Sequence, residues 1–261
     1  MSEAIEQPYA DLGRILVVLP TYNEIDNLER IVKRLRTAAP EVEVLIADDA
    51  SPDGTGQLAD RLASTDDHLR VLHRTRKEGL GSAYLESFRW GLDHGYDVLC
   101  EMDSDGSHQP EALPGLLRAL HDADLVIGSR WVPGGRIENW SRGRQLLSRS
   151  GNIYARLALG LALRDATSGF RVFRRATLQG IDLDHVASQG YCFQIDLAWR
   201  AYRANFRVSE VPIVFFEREY GTSKMDRGVF VESFRRVTAW GLRHRLRQVR
   251  ELVSGKRRAG I

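Results

Sequence analysis

Short apolar runs and amphipathic stretches alternate along the first 130 residues. Ile15 to Leu19 is an unbroken apolar run closed by Pro20, and Leu28, Ile31, Val32 and Leu35 follow at helical spacing. Val42 to Ala47 repeats the run, a short helix is expected around Leu58 to Leu62, and a third strand near Leu69 to Leu72. Ala83, Tyr84, Ser87, Phe88 and Leu92 mark another helix, stopped by Gly95. Val98 to Met102 reads as a strand, Glu111 to His121 as a helix and Leu125 to Ser129 as a strand. This alternation predicts βαβ units, hence an α/β fold whose mostly parallel central sheet is covered on both faces. Beyond Arg130 the pattern loosens. Trp131 to Arg142 reads as a loop or flap, Gln145 to about Leu163 as a helix, Phe170 to Phe173 as a strand and Phe193 to Ala204 as a helix. Val208 to Phe216 reads as a strand despite Pro212, which suits an edge position or a bulge.

In an open α/β sheet, ligands bind beyond the carboxyl ends of the strands. Here those ends deliver Pro20-Thr21-Tyr22-Asn23-Glu24, Asp48-Asp49, Asp103-Ser104-Asp105 and Gly128-Ser129-Arg130 to one edge. Two carboxylates at i and i+2, such as Asp103 and Asp105, can face one point and offer hard oxygen ligands to Mg²⁺ or Mn²⁺ bridged to a diphosphate. Taken alone, the same triplet would serve as a solvated Asx turn; its place after a buried strand favours the metal. Asp48-Asp49 can signal a helix start or accept from a ribose or base. No G-x-G-x-x-G follows the first strand and no G-x-x-x-x-G-K-[ST] occurs, which disfavours NAD and P-loop chemistry.

Together these residues resemble the inverting family 2 glycosyltransferases of GT-A fold, and more narrowly the polyprenol (dolichol) monophosphomannose synthases. The narrower likeness rests on Gly106-Ser107-His108-Gln109-Pro110, Gly128-Ser129-Arg130 and Ser148-Arg149-Ser150-Gly151-Asn152. It continues through Asp165-Ala166-Thr167-Ser168-Gly169-Phe170-Arg171, Gly190-Tyr191-Cys192-Phe193-Gln194 and Arg218-Glu219-Tyr220-Gly221-Thr222-Ser223-Lys224. The resemblance implies a three-layer αβα sandwich and transfer of mannose from GDP-mannose to a polyprenyl phosphate with inversion. It implies that Pro20, Tyr22, Glu24, Ala47 and Asp49 hold the nucleoside, and that Met102, Asp103, Ser104 and Asp105 line the diphosphate and sugar. Asp103, Asp105 and Ser107 would be the metal positions, Ser107 standing where the family often has Gln. Ala50 stands where it commonly has Asn or Gly.

A polyprenyl phosphate is its own anionic nucleophile, so positive charge matters more than a general base. Arg130, Arg144 and Ser148 are assigned to the acceptor phosphate, with Asp105 and Arg130 as the catalytic pair. Arg218 and Lys224, around Gly221, are assigned to a loop closing on the donor phosphates. Asp165 and Arg171 are expected to tie the loop that carries them, and the seven histidines receive no metal role. The alternatives are a polyprenyl-phosphate transferase using UDP-glucose or another nucleotide sugar, and a sugar-nucleotide-binding protein without turnover.

Composition bears on partners. The chain has 261 residues, is 43% hydrophobic and has two cysteines, which excludes disordered and disulfide-framework classes. The formal charge of +2 is a sum of opposites, because residues 235–261 hold nine Lys and Arg against Glu251. That tail carries Phe234, Val237, Leu242, Leu246, Val249 and Val253 on one expected helical face, interleaved with arginine and accompanied by Trp240. A basic amphipathic helix suits an anionic membrane surface; the alternative is a helix packed on its own domain. No run approaches the roughly 18–20 apolar residues needed to span a bilayer. The expected organisation is an N-terminal segment 1–13, a catalytic domain 14–227 and the basic helix 228–261. The expected setting is the cytoplasmic face of a membrane, peripherally bound, with an integral partner allowed and nucleic acid excluded for want of a basic-aromatic platform.

Overall fold

A computed structural model of the chain describes residues 9–186, 191–217, 234–243 and 245–246. The five expected N-terminal strands are present as β1 (Ile15–Thr21), β2 (Glu43–Asp48), β3 (Leu69–His73), β4 (Val98–Glu101) and β5 (Leu125–Ser129). Later strands are β6 (Arg136–Glu138), β7 (Arg171–Arg174), β8 (Val208–Pro212) and β9 (Val214–Phe216). Seven of them form one sheet of order β3-β2-β1-β4-β7-β5-β8, and β6 pairs with β9 in a small ribbon. Among the described strands of the large sheet, only β7 runs antiparallel, between β4 and β5.

Period-two alternation explains how one sheet serves two cores. Ile15, Val17 and Leu19 of β1 enter the core under α1 (Leu28–Ala38), α2 (Thr55–Ala63) and α4 (Leu113–Ala119). Leu16 and Val18 enter the other, under α3 (Leu80–Asp93), α5 (Arg142–Leu159), α6 (Arg175–Gly180) and α7 (Tyr191–Arg203). The chain is therefore the three-layer α/β sandwich that was expected.

Several boundaries differ, each for a local reason. The helix read over 145–163 starts three residues earlier, where the Ser141 hydroxyl accepts from the Arg144 amide, and stops before Gly160 at φ +69°. The single strand read over 208–216 is two. Pro212 ends β8 on the sheet edge, the Ile213 amide still donates to Ser129, and the chain then crosses to β6. The expected flap over 131–142 thus contains a strand. Tyr9 and Leu12 are buried in the core, so the packed body begins ahead of residue 14.

The described part of the tail, 234–246 without 244, is helical and lies against α5 and α7. Val237 is buried, Trp240 stacks on Trp199 at 5.8 Å, and the Tyr154 and Thr238 hydroxyls meet at 2.6 Å. Gly241 sits so close that a Cβ there would lie 2.5 Å from the Ala158 carbonyl oxygen. The expected single apolar face therefore divides: Val237 turns inward, while Phe234, Leu242 and Leu246 stay 55–61% exposed.

Candidate active site

The ends of β1, β2 and β4 are joined by hydrogen bonds between their loops. The Asp48 carboxylate accepts from the Thr21 hydroxyl at 3.1 Å, the Ser51 hydroxyl at 2.5 Å and the Ser51 amide at 3.1 Å. Asp53 accepts from the Thr55 amide and hydroxyl and from the Ile25 amide, and Thr55 in turn accepts from the Glu24 amide. The Asp48–Thr55 segment thereby shapes the Tyr22–Glu24 loop, beyond any direct ligand role. Ala50 adopts φ +54°, a left-handed conformation that Asn or Gly takes more easily.

Asp49 is not alone. The buried guanidinium of Arg74, directly after β3, forms an ion pair with it and also donates to Glu86 at 2.7 Å and Ser82 at 2.8 Å. Burial still raises the Asp49 pKa above the ordinary range, with Arg74 opposing it. Arg74 was not among the expected site residues, although its place after a parallel strand is the same signal that marks the others. Lys77 lies 3.7 Å above the Tyr22 ring. Pro20 receives the Ser104 hydroxyl on its carbonyl at 2.7 Å, and Glu24 accepts from the Asn27 amide group at 2.8 Å.

The Asp103–Asp105 turn is closed by Gly106 at φ +79°. Asp105 is buried and accepts from the Ser107 amide at 3.0 Å, a bond two residues long. Asp103 is held from two sides. Its carboxylate accepts from the fully buried Tyr84 hydroxyl at 3.1 Å, and its amide donates to His108 Nδ1 at 3.0 Å. Nδ1 is therefore an acceptor and the imidazole proton sits on Nε2. Burial lowers the His108 pKa and keeps the ring neutral, so His108 orients the turn and is spoken for as a ligand. Among the described residues no group of three or more His, Cys, Asp or Glu could hold a metal. Two carboxylates plus the oxygens of a bound diphosphate are the hard donor set that Mg²⁺ or Mn²⁺ accepts, and the Ser107 hydroxyl lies next to them in sequence. The Met102 side chain is packed in the core on the α1 side. Ala47 is likewise fully buried within β2.

Across the sheet, at the end of β5, the Arg130 guanidinium donates from Nε and Nη2 to the two Asp165 oxygens, each at 2.7 Å, and from Nη2 to Thr167 at 2.8 Å. Burial would push Asp165 up, but the Arg130 charge and hydrogen bonds hold it below the ordinary carboxylate range. Asn152 of α5 reaches Thr167 at 3.0 Å and the Ser148 carbonyl at 3.1 Å, tying the helix to the same loop. Arg171, fully buried, clamps that loop by donating to the carbonyls of Ala166, Ser168 and Gln194, each at 2.7 Å. Asp165 and Arg171 thus tie the loop as expected.

Arg144, one turn before Ser148 on α5, donates to Glu217 at 2.6 Å and stacks 3.9 Å over Trp140. Trp140 meets Phe215, which faces both Arg130 and His108. These two aromatic rings bridge the arginine side to the Asp103 side, and the sequence pattern did not single them out. Arg218 and Lys224 lie outside the described residues.

An open α/β sheet that brings two hard carboxylates to one strand edge and anchored arginines to the rim beside them is the plan of a nucleotide-sugar-dependent transferase. The model of glycosyl transferase family 2 matches residues 16–181, and the chain belongs to that family. It is 56% identical over 229 residues to an undecaprenyl-phosphate mannosyltransferase of Micrococcus luteus, covering 88% of this chain and 94% of that one. It is 54% identical to a polyprenol monophosphomannose synthase of Mycolicibacterium smegmatis, covering 92% and 91%. The fold is shared with glucosyl-3-phosphoglycerate synthase from Mycobacterium tuberculosis, solved with Mn²⁺, uridine diphosphate and glucosyl-3-phosphoglycerate, at TM-score 0.63 and 21% identity over 92% of this chain and 83% of that one. A mannosyltransferase from Pyrobaculum calidifontis, solved with GDP-Man and Mn²⁺, gives TM-score 0.57 and 18% identity over 90% and 64%.

Proposed function

We propose that this chain transfers mannose from GDP-mannose to a polyprenyl phosphate, inverting the anomeric carbon and releasing GDP. The observation that carries this reading is the juxtaposition of Asp103 and Asp105 with an arginine pair, Arg130 and Arg144, through the Trp140–Phe215 bridge. High identity to two polyprenyl-phosphate mannosyltransferases over nearly the whole chain supports the same substrates.

The chemistry follows from the charges. A phosphate oxygen of the acceptor attacks the anomeric carbon from the face opposite the diphosphate, the bond from that carbon to the β-phosphate oxygen breaks, and its electron pair leaves with GDP. A phosphate monoester is mostly dianionic near neutral pH, so no side chain has to remove a proton. Arg130, Arg144 and Ser148 hold that anion beside an anionic donor, while Pro20, Tyr22, Glu24, Ala47 and Asp49 surround the nucleoside. A Mg²⁺ or Mn²⁺ ion held by Asp103 and Asp105, with Ser107 beside them, would neutralise charge on the departing diphosphate. Arg218 and Lys224 complete the donor side in this reading. Pinning Arg130 to Asp165 orients its planar fork before the acceptor arrives.

The acceptor is a lipid, and α5 carries the acceptor residues on a helix with an unusual outer face. Leu146, Leu147, Ile153 and Leu157 are 45–68% exposed, flanked by exposed Arg142, Arg149 and Arg156. Leu242 and Leu246 of the tail extend the apolar area, and Arg245 donates to the Leu157 carbonyl at 2.9 Å. Among the described residues no helix is long and apolar enough to cross a membrane. In our reading α5 and the tail rest on the cytoplasmic membrane face, with room for an integral partner protein.

Incubation with radiolabelled GDP-mannose or UDP-glucose, a polyprenyl phosphate and Mg²⁺ or Mn²⁺ tests the activity by label extracted into organic solvent. Label is expected from GDP-mannose. Label from UDP-glucose alone would replace the donor, and label from neither would sink the transferase reading. Co-sedimentation with anionic vesicles tests the surface: Leu146→Asp with Leu157→Asp is expected to abolish it, and unchanged sedimentation would overturn the membrane assignment.

A further inference from the structure

Gln194, on the first turn of α7, has an uncommon environment. Its side chain is 4% exposed, yet among the described residues neither its amide oxygen nor its amide nitrogen has a hydrogen-bond partner. The backbone beneath is rigid, since the Gln194 carbonyl accepts from Arg171. The amide nitrogen borders the open position over Gly169. A Cβ built there would stand 3.5 Å from that nitrogen, 3.5 Å from His108 Cε1 and 3.7 Å from Asp103 Oδ2. The missing side chain at Gly169 therefore leaves a small polar recess, walled by the Gln194 amide, the His108 ring edge and the Asp103 carboxylate. Glu101, fully buried, is near the same amide. Burial pushes its pKa up to about 8, while Arg171 and the Gln194 amide favour its charge, but the two side chains do not close a hydrogen bond of ordinary geometry.

Buried primary amides are almost always hydrogen-bonded, because leaving one unpaired forfeits its hydration. An amide that is both donor and acceptor matches a sugar hydroxyl, which is also both. We propose that Gln194 pairs with a hydroxyl of the sugar on the donor and acts as a specificity-determining residue, with Gly169 keeping the recess open. The proposal rests on the sugar-nucleotide reading above and adds the contact that selects the sugar. It follows that discrimination comes from an unpaired buried group being satisfied by the right hydroxyl only, which rejects analogues lacking it more sharply than an apolar pocket can.

The test compares binding and turnover. Affinities of GDP, GDP-mannose and the monodeoxy GDP-mannose analogues are measured by calorimetry with Mn²⁺ for the wild type, Gln194→Leu and the bulk-conserving Gln194→Met. The expected result is GDP affinity unchanged within about twofold, and GDP-mannose affinity and kcat/KM reduced roughly 10–100-fold, the scale of one good hydrogen bond. For one deoxy analogue the wild type and the variants should coincide, since the lost hydroxyl and the lost amide are the two halves of one contact. A parallel fall in GDP affinity would reveal a structural role through Glu101 and overturn the proposal. Equal losses with every analogue would do the same, and would leave water as the occupant. The binding arm needs no lipid product, so a wild type that fails to label lipid defeats the acceptor assignment while Gln194 is still decided.

Discussion

The two sides of the site are anchored in opposite ways. On the carboxylate side, Asp105 and Asp53 each have an amide two residues away and Asp48 has Ser51, three residues on, beside longer links from Thr21 to Asp48, Ile25 to Asp53 and Tyr84 to Asp103. On the arginine side, Arg130 meets an Asp 35 residues away and Arg144 a Glu 73 residues away, while Arg171 joins carbonyls three, five and 23 residues away. A short carboxylate can only accept, and the nearest donors are the amides of its own turn. A guanidinium has five donors on a long stem, so burying one requires acceptors gathered from several elements. The carboxylate side thus keeps a local share of its support beside longer links, whereas the Arg130–Asp165 and Arg144–Glu217 pairs form only when the whole fold does.

Substitutions can break that contrast. Asp105→Ala should cut mannosyl transfer at least about 10³-fold while leaving urea stability near wild type, because the bond it loses to Ser107 is local; stability falling with activity would show that longer links hold the turn. Asp165→Asn should cost about 3–5 kcal/mol of stability, since it strands a buried guanidinium. Because Asp165 has a lowered folded pKa, its stabilisation is present above the ordinary Asp value near 4 and disappears as pH falls through the depressed folded value. Melting temperature between pH 6 and 3 should therefore fall more steeply for wild type than for Asp165→Asn.

Arg144→Ala should raise the acceptor KM roughly 10–100-fold, the scale of one charge-assisted hydrogen bond, and leave the donor KM within about twofold. A donor effect of equal size would place Arg144 on the wrong side. Tyr84→Phe removes only the hydroxyl that orients Asp103, so Mn²⁺ affinity in the presence of GDP should drop about tenfold, read by electron paramagnetic resonance. The smallest effect is expected at Ala50: relieving its left-handed conformation with Ala50→Gly should stabilise the protein by about 0.5–1 kcal/mol.

Legibility along the chain follows the same division. The β1–β5 strands and the Asp103–Asp105 turn stand where the apolar runs and the polar residues after them put them. Arg74 was missed because a lone arginine after a half-exposed strand resembles any surface charge until Asp49 is seen beside it. Trp140 and Phe215 were missed because ring-to-ring contact between residues so far apart leaves no periodic trace. Pro212 announced an edge, but the crossing from β8 to β6 depends on the Ile213 amide finding Ser129. In the tail, helical spacing placed Val237 and Leu242 on one face; packing on α5 and α7 separated them, since Gly241 and Trp240 set which side approaches the body.

By itself, then, the sequence determined the α/β class and the strand edge at which Asp48, Asp49, Asp103 and Asp105 gather, because period-two and helical patterns and tight turns are local. Only the tertiary structure decided which partners hold Arg130, Arg144 and Arg74, that Met102 serves the core, and that the Gln194 amide and the Asp103 carboxylate both border the space over Gly169. Those outcomes depend on burial and on pairing across long loops, and a buried charge or amide takes its partner from whatever the closed fold brings within reach.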